Sequence, residues 1–332
     1  MEKKKIINTI ELEDGEYLEK KFSNCLEMAR HAVDWTLFCH YKLRPNCVDG
    51  IYKILKLTNM QLAYTKEVGG VMYEFATPKE SICLSIIINV EDKACLTEMK
   101  VKTGMIAITQ SERIYNFITN KGVEIIDISC NKDDNFSLYN TLRPYANKFF
   151  YDKDKYLQTL ILELLHTHTN GTVLDTTLIN SIEKKITNAI FSSITDQEVN
   201  IPTFKSSEQI ALKIREQLFH HMDTTISIEN LTQLYNISDK SLQTAFKSIF
   251  GFTPVLFIRL MKLNLVYHEL LKTDSPQVTV TRVAKKWGFK HMGRFSLYYK
   301  ELFLEFPSET LQKQDPLSNE LSSYCVQRQE EI

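Results

Sequence analysis

The stretch SDKSLQTAFKSIFGFTP, residues 238–254, decides the fold of the C-terminal third of the chain. Ser238 is a good helix N-cap because its hydroxyl accepts an otherwise unpaired backbone N–H, and Asp239 complements the helix dipole. Gly251 ends the helix. One helical face is apolar, with Leu242, Ala245, Phe246 and Ile249. The opposite face is polar and partly basic, with Lys240, Gln243, Thr244 and Lys247.

A shorter helix is predicted immediately upstream. Ser227 is its N-cap, and one face then follows the i, i+3, i+4, i+7 spacing with Ile228, Leu231, Thr232 and Tyr235. A turn at 236–237 separates the two helices. Two short helices joined in this way are typical of a helix-turn-helix, whose second helix enters the major groove of DNA.

The same unit occurs a second time towards the C terminus. Thr279 is the N-cap, the spacing repeats in Val280, Val283, Ala284 and Trp287, and the turn is Gly288-Phe289. A second helix at ~291–303 is predicted to bury Met292, Phe295, Tyr299 and Leu302 and to expose Gly293, Arg294, Leu297 and Lys300. Between the units, Pro254 begins an apolar helix of ~19 residues, or ~28 Å. Two recognition helices about one DNA turn (~34 Å) apart would fit its ends.

The outer faces fit the chemistry of base reading. Glutamine pairs with adenine, and arginine or lysine with guanine, while lysines at the rim neutralise phosphates. Lys240, Gln243 and Thr244 are therefore predicted to read bases. In the second unit Arg294 suits a base or a phosphate, and Leu297 offers only apolar contact, for example to a thymine methyl. We expect the second unit to contribute more to affinity than to sequence choice. A single such pattern is also typical of purely structural hairpins, so the tandem copy carries the inference.

Composition is consistent with this interpretation. The chain has 332 residues and a formal net charge of −1, but 205–314 holds 15 Lys/Arg against 10 Asp/Glu, a local charge of about +5. Seven cysteines without a Cys-x-x-Cys pattern predict reduced thiols in a cytoplasmic protein and no zinc site. No secretory signal is recognised. The apolar run 82–90 is too short to span a membrane.

Residues 1–150 predict a strand-rich domain after a helix near 18–33. The short β-prone runs are 51–57, 61–68, 71–76, 82–90, 96–101, 114–119 and 123–129. Gly69-Gly70 predicts a two-residue hairpin. We expect a cupin-like sandwich or small barrel. Aromatic and acidic residues alternate on these strands and suit either a ligand pocket or a mixture of core and surface: Tyr52, Tyr64, Glu67, Tyr73, Glu74 and Phe75.

Two apolar-faced helices are predicted in 151–200, as a helical spacer that also suits a homodimer surface, or as elements that pack on a neighbouring domain. The domain with both helix-turn-helix units is expected at 205–312, and 313–332 is expected to be a flexible tail. The predicted fold class is therefore α+β.

Residues 238–254 and 283–307 resemble the AraC/XylS family of transcription regulators over about a third of the chain. The matching positions are Leu231, Ser238, Leu242, Phe246, Gly251, Pro254, Ala284, Gly288, Phe289, Phe295 and Pro307. The resemblance implies base contacts from Lys240, Gln243 and Thr244 in one unit and from Met292, Gly293, Arg294 and Leu297 in the other. Leu304 departs from the glycine usual before Pro307, and Leu297 from a polar or basic residue.

Residues 286–311 look similar to the ethanolamine-operon regulators within that family. This resemblance implies ethanolamine and a cobalamin as effectors. No residue in 1–150 by itself indicates that ethanolamine or a cobalamin binds, and no cofactor is otherwise evident from the sequence.

Catalysis is not predicted. Only His31 and His40 precede residue 150, so a cupin-like metal enzyme lacks ligands. No P-loop, Gly-x-Ser-x-Gly or Gly-x-Gly-x-x-Gly motif occurs. We therefore predict no catalytic residue, no metal and no enzyme.

The sequence predicts a cytoplasmic, sequence-specific transcription activator. Its two recognition helices would occupy adjacent major grooves of double-stranded DNA, its front domain would sense an effector or partner, and RNA polymerase is an expected partner. Two alternatives stay open: a protein-interaction module that has lost specific DNA binding, and an enzyme with a cupin-like domain.

Overall fold

A computed structural model describes residues 10–23, 27–28, 35–45, 49–97, 99–111, 113–133, 135–152, 154–194, 204–220, 227–272 and 278–313. Strands occupy the first half of the chain. They are β1 Tyr17–Phe22, β2 Thr36–Lys42, β3 Asp49–Lys56, β4 Gln61–Val68, β5 Val71–Ala76, β6 Ser81–Glu91, β7 Ala94–Leu96, β8 Met99–Val101, β9 Met105–Gln110, β10 Tyr115–Thr119, β11 Gly122–Asn131 and β12 Phe149–Tyr151.

Helices follow the strands, apart from one short helix and a 3-10 turn at Arg143–Tyr145. They are α1 Phe136–Leu142, α2 Tyr156–Thr167, α3 Thr176–Ile194, α4 Ser206–His220, α5 Ile228–Leu234, α6 Asp239–Phe250, α7 Pro254–Lys272, α8 Val280–Lys286, α9 Met292–Phe303 and α10 Pro307–Gln312. The strand-rich front and the all-helical C-terminal part confirm the predicted α+β class.

The strands form two antiparallel sheets that face each other. One has the order β1-β3-β4-β11-β6-β9-β12 and the other β2-β5-β10-β7-β8. β6 lies between β11 and β9 in the larger sheet, and its nearly continuous buried run explains the long apolar stretch seen in the sequence. The sandwich prediction is therefore confirmed.

Three local predictions in this half are corrected. The run 96–101 is not one strand, because β7 and β8 pair with each other antiparallel. Gly69-Gly70 is not a hairpin turn, because β4 pairs with β3 and β11 whereas β5 pairs with β2 and β10. The glycine pair instead crosses between the sheets, where Gly69 has a φ of +116° and a Cβ on Gly70 would overlap Arg44 and the carbonyl of Asn120. The helix expected near 18–33 is wrong at its start, where β1 pairs with β3; residues 27–28 are helical, and residues 24–26 and 29–34 lie outside the described part.

The helices α2 and α3 pack on the larger sheet. Their apolar faces share one core with strand residues, including Leu157, Ile161, Ile186 and Ile190 beside Leu62. This arrangement matches the alternative of packing on a neighbouring domain. A dimer surface on these helices stays a prediction, as do the domain boundaries.

The C-terminal helices form a second core around α7. Its largest buried side chains include Phe246, Phe257, Trp287, Phe295 and Tyr299. Of the predicted tail only Lys313 is described; 314–332 lie outside. Among the described helices none is by itself long and apolar enough to cross a membrane, and α6 with α7 passes that test only as a pair bent by 54°.

The smaller sheet contacts the helical part directly. The edge strand β2 lies against α7, where the Asn264 side chain accepts a hydrogen bond from the Lys42 N–H (2.7 Å) and donates one to the Lys42 carbonyl (2.8 Å). His268 Nε2 donates to the His40 carbonyl at 2.8 Å. These bonds occupy outward backbone groups of a sheet edge. They also tie the front half to the helix that joins the two helix-turn-helix units.

Candidate nucleic-acid interface

The first helix-turn-helix unit has the predicted caps. The Ser227 hydroxyl accepts from the Asn230 N–H at 3.1 Å, and that of Ser238 accepts from the Ser241 N–H at 3.2 Å. Asn236 makes the turn with a φ of +48°, and Gly251 ends α6 with a φ of +75°. These local bonds fix where α6 begins and ends.

The second unit repeats this construction. Thr279 accepts from the Arg282 N–H at 3.3 Å, and Gly288 makes the turn with a φ of +84°. The bond that closes the turn is 3.0 Å long in both units, from Ile237 N–H to Thr232 O and from Phe289 N–H to Ala284 O. The sequence pattern therefore reported a real structural duplication.

The outer face of α6 holds its predicted residues in solvent. Lys240, Gln243, Thr244 and Lys247 are all exposed. The Gln243 amide donates to the Asp239 carboxylate at 2.8 Å, and the Thr244 hydroxyl donates to the Lys240 carbonyl at 2.8 Å. Asp239 thus orients the Gln243 amide, which can both donate and accept at an adenine edge.

The outer face of α9 is chemically different. Gly293, Arg294, Leu297 and Lys300 are exposed, and Leu297 retains 67% of its accessible surface. Met292 is only partly exposed and packs against the helical core. The Lys300 ammonium lies 4.1 Å from the centre of the Phe306 ring. The outer face of α9 therefore presents the Arg294 guanidinium, the Lys300 ammonium packed against the Phe306 ring, and the exposed apolar side chain of Leu297.

The second unit also presents basic side chains that the sequence reasoning did not single out. Arg282, Lys285, Lys286 and Lys290 are exposed, in addition to Arg294 and Lys300. Between 279 and 304 the sole acidic residue is Glu301. The excess of basic over acidic residues in 279–304 was the sequence signal for this surface. A charge count over the whole of 205–314 hides that excess.

No cluster of metal ligands occurs among the described residues. The histidines nearest to the domain contact, His40 and His268, are buried, and burial lowers their pKa to about 3 and about 4 respectively. Both are therefore neutral; His268 donates to the His40 carbonyl, whereas the Nε2 of His40 has no hydrogen-bond partner among the described residues.

A cavity of about 120 Å³ lies between the two sheets. Of the six residues considered for a pocket, Tyr52, Tyr73 and Phe75 line it. Tyr64 belongs to the core on the opposite side of the larger sheet, and the buried Glu67 and Glu74 are not part of the lining. Asp127 and Thr109 also line the cavity, although the sequence pattern did not point to them.

Comparison with known proteins finds that parts of this chain are similar to a helix-turn-helix domain family and to transcription regulators. Residues 231–313 match the family described as helix-turn-helix domain. The XylDLEGF operon transcriptional activator 1 of Pseudomonas putida is 28% identical over 217 residues, which cover 62% of this chain and 61% of that protein. The XylDLEGF operon transcriptional activator 2 of Pseudomonas putida is 40% identical over 87 residues, 26% of this chain and 55% of that protein. In both cases the match spans less than two thirds of the relative's length.

A solved structure of a probable AraC family transcriptional regulator from Rhodopseudomonas palustris CGA009 is 32% identical. The match covers 32% of this chain and 99% of that chain, with a TM-score of 0.31.

Proposed function

We propose that this chain, whose residues 231–313 form a helix-turn-helix domain of the AraC/XylS type, is a sequence-specific regulator of transcription. The observation that carries the proposal is the pair of units with the same turn geometry, whose second helices, α6 and α9, both expose polar or basic side chains to solvent. The helix α7 joins the units. Its 19 residues correspond to ~28 Å, which suits insertion of both recognition helices on one side of a duplex.

In the first unit, α6 reads bases. Gln243 makes the paired donor and acceptor contact with adenine, Lys240 donates to guanine, and Thr244 contacts a neighbouring edge. Lys247, one helical turn further along, neutralises a phosphate. The Asp239–Gln243 bond supports this assignment because it restricts the amide before DNA arrives.

In the second unit, α9 contributes mainly affinity. Arg294 donates to a base or phosphate, Gly293 admits the backbone close to the groove, and Leu297 contacts a thymine methyl. Lys300, Arg282, Lys285 and Lys290 neutralise phosphates, whereas Lys286 is paired with Glu269 at 3.2 Å. Met292 is retained as a contact only at its exposed edge, since its side chain is partly covered by the core.

The front domain senses a small molecule or a partner and acts through β2. This strand carries Leu37 in the wall of the cavity and, further along, the His40 and Lys42 carbonyls bound to α7. A change in the cavity that moves β2 therefore moves the helix that sets the spacing of α6 and α9.

The effector and partners follow from resemblance rather than from geometry. Ethanolamine and a cobalamin are the effectors that this resemblance implies. A cobalamin is far larger than the cavity of about 120 Å³ and would need another site. An activator of this type acts in the cytoplasm through RNA polymerase, and a homodimer would bring two such readers together.

The test is selection of binding sites from a random duplex pool by the full chain. We expect two half-elements about one helical turn apart. Gln243→Ala should relax one half-element at a cost of ~1–3 kcal/mol, and Arg294→Ala should weaken the other. Gln233→Ala, an exposed glutamine on α5, is the matched control and should change neither.

Absence of any enriched sequence, even at low salt, would refute the proposal. It would favour the interaction-module alternative, which the exposed Leu297 and Leu304 side chains (67% and 58%) support.

A further inference from the structure

The cavity between the sheets has one aromatic wall. The smaller sheet supplies Tyr73 and Phe75 from β5 and Phe117 from β10, and Trp35 precedes β2. The ring centres of Tyr73 and Phe117 lie 5.5 Å apart, and those of Trp35 and Phe75 also lie 5.5 Å apart. Aromatic faces carry negative electrostatic potential and attract organic cations.

The opposite wall is polar at its centre. Thr65, Asp127, Ser85 and Thr109 stand on β4, β11, β6 and β9, four successive strands of the larger sheet. Asp127 is directly across from Ser85 in the strand register, and the Ser85 hydroxyl donates to its carboxylate. The buried Thr109 hydroxyl has no hydrogen-bond partner among the described residues.

Among the described residues of the lining, no positively charged side chain balances the Asp127 carboxylate. The described residues that line the cavity include no lysine, arginine or histidine, and burial raises the pKa of Asp127 to about 6. A partly buried carboxylate in an apolar cavity, with one hydroxyl partner, destabilises the fold. Such a group inside a cavity is a candidate for ligand recognition.

We propose that the cavity binds a compact organic cation, a primary amine with an apolar body, whose ammonium pairs with Asp127. The apolar body of the ligand packs on Tyr73 and Phe117. The inference deepens the sensing role proposed above and rests on it for its purpose. A cavity of ~150 Å³ is known to hold benzene, and this cavity of about 120 Å³ is somewhat smaller, so the apolar body of the ligand is no larger than roughly one six-membered ring. Carboxylic acids are excluded because their charge has the same sign as Asp127.

Three probes that share one ring and differ in charge test the inference on the full chain: benzylamine, benzyl alcohol and benzoate. Binding is measured by calorimetry and by the fluorescence of Trp35, which lines the cavity. Benzylamine is expected to bind at least tenfold more tightly than benzyl alcohol, and benzoate not to bind measurably. Asp127→Asn should weaken benzylamine at least tenfold and leave benzyl alcohol unchanged.

Matched variants separate the site from general effects. Asp133→Asn changes an exposed aspartate just beyond β11 and should alter no affinity. Trp35→Phe should abolish the fluorescence change attributable to the cavity while calorimetry still detects benzylamine. Ile125→Phe, which fills the cavity from β11, should abolish binding of every probe.

Three results would overturn the proposal: benzoate binding as tightly as benzylamine, Asp127→Asn leaving benzylamine unaffected, or no probe binding at all. Failure of the DNA-reading proposal is distinguishable, because ligand binding is measured without DNA. Amine binding by a chain that selects no duplex sequence would uphold the site and refute the regulator.

Discussion

The two helix-turn-helix units have the same backbone and different surfaces. Each begins at a hydroxyl N-cap, turns at a residue with positive φ and closes the turn with a 3.0 Å bond. Yet Lys240 and Thr244 on α6 stand where α9 has Gly293 and Leu297. The comparison shows that the framework is fixed by caps and buried residues, which leaves the outer face free to specialise.

The surfaces divide the work of binding DNA. In the first unit the positive charges of Lys240 and Lys247 are offset by the negative charges of Glu229 and Asp239. Its electrostatic attraction to phosphates is therefore weak, and the side chains that would contact bases are polar. The second unit concentrates basic residues and few groups that can form paired contacts with bases. We therefore expect sequence choice from α6 and electrostatic affinity from the second unit.

The units also differ where their recognition helices end. Gly251 and Leu304 occupy equivalent positions, with φ of +75° and +61°. Glycine adopts this conformation without strain, whereas leucine does so at a cost of roughly 1 kcal/mol or more. Gly251 also lies against the front domain, because a Cβ there would overlap the Asn120 side chain, whereas Leu304 is exposed.

Gly251→Leu is expected to have the largest effect, a loss of about 3 kcal/mol in unfolding free energy, from left-handed strain and overlap with Asn120. Urea denaturation of the full chain measures it. Gly171→Leu is the matched control, since Gly171 has a φ of +89° with open space around it, and should cost only ~1–2 kcal/mol. Equal losses would contradict the proposed contact with the front domain.

Acid is expected to weaken the contact between α7 and strand β2 of the front domain. Burial lowers the pKa of His40 to about 3 and of His268 to about 4, below the value of about 6.5 in the unfolded chain. The unfolded state therefore binds protons first, and stability falls as pH drops from about 6.5 towards 4.

Thermal unfolding across this pH range checks the expectation. His268→Gln, whose amide can still donate to the His40 carbonyl, should retain more stability at pH 4 than the parent chain. His166→Gln, at an exposed position on α2, should follow the parent curve. If the two variants behave alike, the buried pair is not responsible.

Leu304→Gly is expected to stabilise the chain by about 1 kcal/mol, because glycine relieves the left-handed strain that separates the two units. Val255→Gly on the exposed surface of α7 is the opposite control and should cost about 1 kcal/mol. A loss of stability in Leu304→Gly would mean that the exposed leucine has a packing role.

The smallest effect is expected at Leu297. Replacing the contacted thymine by uracil removes one methyl group and should weaken binding by about 0.8 kcal/mol. Leu297→Ala should reduce this sensitivity without affecting the half-element read by α6. Uracil sensitivity that persists unchanged in Leu297→Ala would assign the methyl contact to another residue.

Local chemistry explains which features the sequence could predict. Ser238, Gly251 and Pro254 mark helix ends through bonds to near neighbours, so the bounds of α6 and α7 follow from the sequence itself. Periodicity likewise separated the exposed Gln243 from the buried Phe246.

Long-range contacts could not be predicted in this way. The Asn264–Lys42 bonds join residues 222 positions apart, and no local pattern marks that α7 covers the edge of a sheet. Gly69-Gly70 suits a hairpin and a crossover equally well. Asp127 and Thr109 meet in one cavity because of strand order, which alternation of residue types does not reveal.

The most direct test of the division between the units compares two duplexes, the selected sequence and a shuffled one, across a range of salt concentrations. The account predicts that Gln243→Ala weakens binding to the selected duplex alone and leaves the salt dependence unchanged. A Lys285→Ala/Lys290→Ala variant should weaken both duplexes equally and lower the salt slope by about two. The account would be contradicted if Gln243→Ala weakened both duplexes equally, or if the lysine variant lost only the selected one.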